Sequence, residues 1–176
     1  MEKSTIDTAR GPLAAPCLTA RVVPMDQVHS NVYNPNHVSE RRLNLLERSI
    51  LADGFCCPIV VAPDPAGDYV IIDGYHRYFV MRDRLQAAEI PAVVLERSQP
   101  ERMASTVRFN RARGVDQVER LADVLRHLTQ SGLDDVTIAQ QLGMEFDEVY
   151  RLAQIAGIAD SFANVPYSRA WDLTEG

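Results

Sequence analysis

The chain lacks the features that mark membrane-spanning and disulfide-stabilised proteins. Its 176 residues contain no apolar run that approaches the roughly 20 residues needed to cross a bilayer. Three cysteines, of which Cys56 and Cys57 are adjacent, provide no disulfide framework and fit a reducing cytoplasm. The first residues also lack the apolar core of a signal peptide. We therefore expect a cytoplasmic protein without membrane contact, with residues 1–18 as a flexible leader.

Positive charge is scarce where a nucleic-acid surface would need it. The chain carries 18 Lys and Arg against 24 Asp and Glu, a formal net charge of −6. From Gly114 to the last residue, 4 basic side chains face 11 acidic ones. Because a surface that binds DNA needs positive potential to displace counterions from phosphate, the carboxyl-terminal third has no electrostatic signature of DNA binding.

Apolar runs alternating with turn residues predict an α+β domain over residues 19–98. Short β-branched runs predict strands within residues 19–28, 57–63, 68–73 and 90–96. Leu43, Leu46 and Ile50 recur at helical spacing and predict a helix that begins after Ser39 and ends at Gly54. A second helix is expected over residues 75–85. Residues 99–160 are predicted to be all-α, and residues 161–176 form a tail.

The stretch "VIIDGYHR" places an Asp-Gly turn between a strand and a helix. Gly74 permits a sharp turn and frees the following N–H groups to meet an anion. Arg77 offers a forked guanidinium to a phosphate, and His76 can donate to the same group. The alternative is a tight turn in which Arg77 pairs with Asp73 or Asp83. Spacing alone leaves both interpretations open.

The neighbouring motifs carry a family resemblance. "YNPN", "SILADGFCCPIVV", "IDGYHR", "IPAVVLE" and "RFNRARG" follow one another in the order seen in the ParB/sulfiredoxin superfamily. The chain resembles its amino-terminal domain from about Val22 to Glu96 and onward into the helices. The resemblance implies a small mixed sheet with helices, followed by a helical region, and a pocket for CTP or for ATP or ADP with Mg²⁺. The nucleotide-binding residues that it implies are Gly54, Cys56, Cys57, Pro58, Gly74, Tyr75, His76, Arg77, Asn110, Arg111 and Arg113.

Two departures from the family pattern restrict the reactions that the protein could catalyse. Tyr75 stands where sulfiredoxins need a reactive cysteine, so sulfinic-acid reduction is excluded. Cys56 and Cys57 lie in a different motif, and we expect them in the pocket wall or the core. Phe109 stands where the partition proteins place an acidic magnesium ligand, so Mg²⁺ would depend on Asn110 and the phosphate oxygens, which disfavours nucleotide hydrolysis.

A helix-turn-helix is predicted in "TIAQQLGMEFDEVYRL", from the spacing of Ala139, Gly143, Val149 and Leu152. The second helix begins with three carboxylates, which would repel DNA. Packing or protein contact is therefore the favoured role of this helix pair. The candidates for contact with DNA are Arg102, Arg108, Gln140 and Gln141, with a solvated helix face as the default for both arginines.

These patterns predict a ParB-like, nucleotide-binding regulator that acts with a protein partner or DNA, as a homodimer or in a complex. The alternative is an ATP- or ADP-dependent phosphotransferase similar to the free-serine kinases, which share an Asp-Gly-x-His-Arg turn. In that case His76 and Arg77 would orient phosphate, and Asp73 or a carboxylate of the amino-terminal loop, such as Asp26, would accept a hydroxyl proton.

Overall fold

The computed structural model of the protein describes residues 5–31, 39–112 and 118–158. The chain divides into two compact units, an amino-terminal unit of residues 1–106 and a helical unit of residues 107–176. The sequence placed this division at residue 98. Within the described ranges, no helix combines the length and the apolar character needed to cross a membrane.

The amino-terminal unit is built on a five-stranded mixed sheet. The strands in this unit are β1 (Thr5–Thr8), β2 (Gly11–Ala14), β3 (Arg21–Pro24), β4 (Val28–His29), β5 (Ile59–Pro63), β6 (Tyr69–Asp73) and β7 (Glu89–Val94). The sheet has the spatial order β3-β7-β5-β6-β4, while β1 and β2 form a separate antiparallel hairpin. β5 is antiparallel to β6 and parallel to β7, and β4 is parallel to β6.

Two helices follow the predicted pattern closely. Helix α1 (Glu40–Asp53) begins after Ser39, whose side chain makes no capping hydrogen bond, and ends at Gly54 with φ of 81°. Helix α2 (Tyr75–Phe79) continues as a π-helical turn over Val80–Arg84, which together match the helix predicted over residues 75–85. The predicted α+β class is confirmed.

The core of this unit comes from the β-branched strand residues. Ile59, Val61, Ile71 and Ile90 are fully buried, and the ring of Tyr78 packs into the same cluster. β-Branched side chains are common in strands whose faces are buried by other elements. For this reason the apolar runs of the sequence located these strands correctly.

Residues 5–14 differ from the expected flexible leader because they form the β1–β2 hairpin. The Thr8 hydroxyl donates to the Gly11 carbonyl at 2.7 Å and accepts from the Arg10 N–H at 3.1 Å, which closes the turn. All eight strand residues are exposed. The hairpin therefore depends on the hydrogen bonds of its turn. Its strands contain no alternation of buried apolar residues from which the sequence could have predicted them.

The helical unit contains the end of α3 (Gln99–Arg111) and helices α4 (Val118–Gln130), α5 (Asp135–Leu142) and α6 (Phe146–Ala156). The predicted helix-turn-helix is confirmed in α5 and α6. Gly143 turns the chain in the left-handed conformation with φ of 64°, and Ala139, Val149 and Leu152 are buried. Asp134 caps α5 through its carboxylate, which accepts from the Thr137 N–H at 2.8 Å.

Candidate functional site

The Asp-Gly turn lies between β6 and α2, and its shape depends on a glycine. Gly74 has φ of 93° and ψ of 23°, a left-handed conformation that L side chains rarely adopt. A Cβ at this position would lie 2.6 Å from Nη2 of Arg77 and 2.9 Å from Cγ2 of Ile59. The Arg77 guanidinium therefore packs directly over the Gly74 backbone, where only a hydrogen atom leaves room for it.

Arg77 is held in place by two acceptors. Its Nη2 donates to the Pro58 carbonyl and to Oδ2 of Asp73, each at 3.3 Å. Asp73 is almost completely buried, whereas the Arg77 side chain keeps 22% of its surface exposed. Its Nε is buried and has no hydrogen-bond partner among the described residues. The Arg77–Asp73 pair thus forms, yet it leaves one donor of the guanidinium unsatisfied.

Asp73 was one of the two predicted bases of the phosphotransferase alternative, the other being a carboxylate of the amino-terminal loop such as Asp26. The Asp73 carboxylate is buried and lies within hydrogen-bonding distance of Arg77. Because Oδ2 of Asp73 already accepts from Nη2 of Arg77, it is poorly placed to accept a proton from a substrate hydroxyl. The geometry favours a positioning role, in which Asp73 orients Arg77.

The two aromatic residues of the turn pack against each other. Tyr75 and His76 are half-buried, and their rings meet edge to face with centroids 5.8 Å apart. Tyr78, on the same short helix, donates its hydroxyl to the Val28 carbonyl at 2.8 Å and is itself within 2.9 Å of Nη1 of Arg82. The hydroxyl of Tyr78 therefore ties α2 to the chain at β4.

The loop between α1 and β5 lies beside the turn, as the motifs implied. Pro58 supplies an acceptor for Arg77, and Ile59 packs under Gly74. Cys56 and Cys57 are exposed and form no disulfide, and the Cys56 thiol donates to the Asp53 carbonyl at 3.1 Å, so the expectation of a core position was wrong. This loop joins a helix to a strand across the surface, where side chains remain accessible to water.

Other predicted residues lie in the helical unit, and nucleotide binding by them stays a prediction. Asn110 is half-buried near the end of α3. Nη2 of Arg111 lies 3.5 Å from the Glu148 carboxylate. Arg113 lies outside the described residues, as do the "YNPN" motif and the tail over residues 161–176. Within the described ranges, no group of three His, Cys, Asp or Glu side chains is placed to hold a metal ion.

The residues proposed for DNA contact divide between two environments. Arg108 donates to the Gln141 backbone carbonyl, and Gln140 is exposed on α5. Arg102 was expected on a solvated helix face, which is wrong, because its Nε and Nη1 are buried. Arg102 lies on the part of α3 that belongs to the amino-terminal unit, where Oγ1 of Thr106, one turn further along, lies 3.1 Å from the Ile72 carbonyl of β6. Helical periodicity could not reveal this tertiary contact.

The first turn of α6 is acidic, as predicted. Glu145 and Asp147 are exposed, and a Glu148 carboxylate oxygen accepts the Glu145 N–H at 3.0 Å. That bond completes one side of a capping box and stabilises the start of the helix. The carboxylate of Glu148 therefore accepts a hydrogen bond at the start of α6 and also forms the ion pair with Arg111.

Two polar residues that sequence reasoning missed contact the end of β6. Nδ2 of Asn31 donates to the Ile71 carbonyl at 2.7 Å, and Oγ1 of Thr106 lies 3.1 Å from the Ile72 carbonyl. Both side chains are buried. Neither belongs to a motif, so no signal in the sequence distinguished them.

Residues 16–110 match the family model described as the ParB N-terminal domain, which is more than half of the chain. The chain belongs to the ParB N-terminal domain family. Residues 117–164 match a second model, the IbrB-like C-terminal HTH domain. The helix-turn-helix of α5 and α6 lies within that second match.

Two relatives of this ParB-like chain are similar to it in sequence. It is 41% identical over 157 residues to the uncharacterized protein YbdM of Escherichia coli (strain K12), covering 86% of this chain and 75% of that protein. It is 29% identical over 123 residues to the nucleoid occlusion protein of Lysinibacillus sphaericus (strain C3-41), covering 69% of this chain and 41% of that protein.

The fold is similar to that of the chromosome-partitioning protein ParB from Caulobacter crescentus. Its complex with the centromeric parS site gives a TM-score of 0.52 at 23% identity, covering 77% of this chain and 71% of that one. Its complex with CTP-γ-S gives a TM-score of 0.48 at 23% identity, covering 78% of each chain. The first of these similarities supports the ParB-like fold.

Proposed function

We propose that this ParB-like protein is a regulator that binds a nucleotide through the Gly74–Arg77 turn and transmits occupancy to its helical unit. The observation that carries the proposal is the buried, unpartnered Nε of Arg77 beside a glycine that admits no side chain. A buried donor without an acceptor costs roughly 1–3 kcal/mol, a cost that phosphate oxygens would remove.

The donors of the turn indicate which chemical group of a nucleotide it would bind. A guanidinium already oriented by Asp73 and Pro58 is suited to a phosphoryl group, which accepts two-pronged hydrogen bonds. CTP, ATP and ADP all carry such groups, and Mg²⁺ would accompany them on phosphate oxygens. The Gly54–Pro58 loop, which reaches Arg77 through Pro58, is the segment that we assign to the base and sugar.

A protein partner suits the helical unit better than direct reading of DNA by α6. The exposed carboxylates of Glu145 and Asp147 stand at the start of the second helix, where a groove-binding helix contacts bases. Their charge would repel the phosphate backbone. Retention on heparin or duplex DNA at low ionic strength, lost as salt rises, would contradict this part of the proposal.

Thermal unfolding in the presence of CTP, ATP, ADP or GTP with Mg²⁺ tests nucleotide binding. A bound nucleotide raises the unfolding temperature, by an amount that grows with concentration above its Kd. We expect stabilisation by at least one of the four, and its loss in Arg77→Ala. Arg42→Ala, which removes an exposed arginine of α1, is the charge-matched control and should respond as the wild type does.

Arg77→Ala also leaves the buried Asp73 carboxylate without its guanidinium, which is destabilising in itself. The double variant Asp73→Asn/Arg77→Gln removes both charges and keeps two polar side chains of similar size. It should fold and fail to respond to nucleotide. A nucleotide response that persists in the double variant would move the phosphate site away from the turn.

A further inference from the structure

The helical unit contains a cavity of about 270 Å³. Its wall comes from the end of α3, from α4 and from one face of α6. On α6 that face carries Glu148, Arg151, Leu152 and Ile155, which follow one another at helical spacing. All of the lining residues belong to the helical unit, so the cavity is separate from the turn between β6 and α2 in the other unit.

Hydrogen bonds between helices hold the wall of this cavity in place. The Arg108 guanidinium on α3 donates to the Gln141 carbonyl near the end of α5. Nη2 of Arg126 on α4 donates to the Ala156 carbonyl at the end of α6 at 2.9 Å. Because each bond joins a neighbouring helix to the helix-turn-helix, we expect the cavity to be present before any ligand binds, as is usual for small-molecule sites.

The inner surface of the cavity is mostly apolar. Leu121, Met144 and Leu152 border it with buried side chains. Ile155 borders it as well and keeps 57% of its surface exposed, although isoleucine is among the residues most often found fully buried. A ligand with an apolar body would remove this surface from water, which is favourable.

Two arginines and one glutamate supply the charges of the cavity. Nη2 of Arg111 lies 3.5 Å from the Glu148 carboxylate, so these two charges offset each other. Arg151 is exposed, and its Nε donates to the Asp147 backbone carbonyl at 3.2 Å. It pairs with no carboxylate in the part of the chain that the structure describes. The charge that remains is therefore positive and complementary to an anionic group.

We propose that this cavity binds a small amphipathic carboxylate, with its aliphatic or aromatic body against Leu121, Met144 and Ile155 and its carboxylate beside Arg151. A guanidinium can hold a carboxylate through two parallel hydrogen bonds. The volume is just below the roughly 300–1,000 Å³ of pockets for drug-sized ligands, so we expect a body of about six carbon atoms. The inference goes beyond nucleotide binding, because it concerns another ligand and other residues.

Hexanoate is the probe, and the methionine methyl groups report where it binds. Met144 lines the cavity, whereas Met25, Met81 and Met103 lie in the amino-terminal unit and serve as internal references. The measurement is an NMR titration of the full chain with isotopically labelled methionine methyl groups. Hexanoate should shift the Met144 signal in a saturable manner and leave the three reference signals unchanged.

Arg151→Gln tests the contact with the carboxylate. The substitution removes the charge of an exposed side chain and keeps it polar, so the fold should be retained. We expect the affinity for hexanoate to fall about 5- to 10-fold, and the affinity for hexanol, which lacks the carboxylate, to stay at its wild-type value. Arg48→Gln removes an exposed arginine of α1 and is the charge-matched control, which should leave both affinities unchanged.

Ile155→Ser tests the apolar contact and provides a second variant should Arg151→Gln fail to fold. It removes an exposed apolar side chain from the cavity. Hexanoate and hexanol should both bind this variant more weakly than the wild type, because the body of either ligand loses a contact. Unchanged affinities for both ligands would contradict the inference.

Three further results would overturn the inference. A Met144 signal that hexanoate does not move would show that the cavity takes no such ligand. Equal affinities of the wild type for hexanoate and hexylamine would show that positive charge does not select the ligand. An unchanged hexanoate affinity in Arg151→Gln would remove Arg151 from the site. None of these outcomes depends on nucleotide, so the proposed function and this inference can fail separately.

Discussion

The Gly74→Ala variant tests whether the Arg77 guanidinium packs over the turn. Two costs add at this position. An L-residue in the left-handed region costs roughly 1–2 kcal/mol. The new methyl group would also lie 2.6 Å from Nη2 of Arg77 and 2.9 Å from the fully buried Ile59, and forced overpacking of this kind costs roughly 1–3 kcal/mol more.

Gly67→Ala is a closely matched control. Gly67 has the same φ of 93°, and a Cβ built on it meets nothing within 4 Å. It therefore incurs the backbone cost of roughly 1–2 kcal/mol alone. The difference between the two variants isolates the contact with Arg77 and Ile59.

Urea denaturation followed by circular dichroism measures both free energies of unfolding. We expect Gly74→Ala to be less stable than Gly67→Ala by about 1–3 kcal/mol, and to lose stabilisation by nucleotide because the methyl group displaces Arg77. Equal free energies of unfolding for the two variants would refute the packing of Arg77 over Gly74. An intact nucleotide response in Gly74→Ala would refute the dependence of the site on that packing.

Three further predictions concern the Tyr78 hydroxyl, the Asp134 carboxylate and the exposed cysteines. Tyr78→Phe removes a buried hydroxyl that donates at 2.8 Å to a backbone carbonyl, so the free energy of unfolding should fall by roughly 1–3 kcal/mol in urea titrations; a neutral substitution would contradict this. The carboxyl pKa of Asp134 is lowered, first by the backbone N–H and then by the hydroxyl of Thr137. A lowered folded-state pKa contributes stability above the unfolded pKa that is lost as pH falls through the folded value. The deficit of Asp134→Ala in unfolding temperature should therefore be present at pH 7 and shrink as pH falls below the ordinary carboxyl range. All three exposed thiols should react with a thiol reagent in the native protein, and nucleotide should slow Cys56 and Cys57 while leaving Cys17 unaffected; uniform rates with nucleotide bound would place the ligand elsewhere.

The sequence by itself determined the elements and the family. β-Branched runs located the strands, glycines at residues 54 and 143 ended their helices as expected, and the ordered motifs identified the ParB N-terminal domain. These features are local, because propensity, periodicity and turn chemistry depend on neighbours along the chain. The β1–β2 hairpin was not predicted from these local features, because its residues bury no apolar face.

Only the tertiary structure decided how the polar groups are paired. Asp73 and Asp83 were equivalent partners for Arg77 in the sequence, and the fold selected Asp73 together with the carbonyl of Pro58, 19 residues away. It also buried Nε and Nη1 of Arg102, a residue whose helix face was expected in solvent. Burial and hydrogen bonding between distant segments depend on how strands and helices pack, and that packing has no periodic signature in the chain.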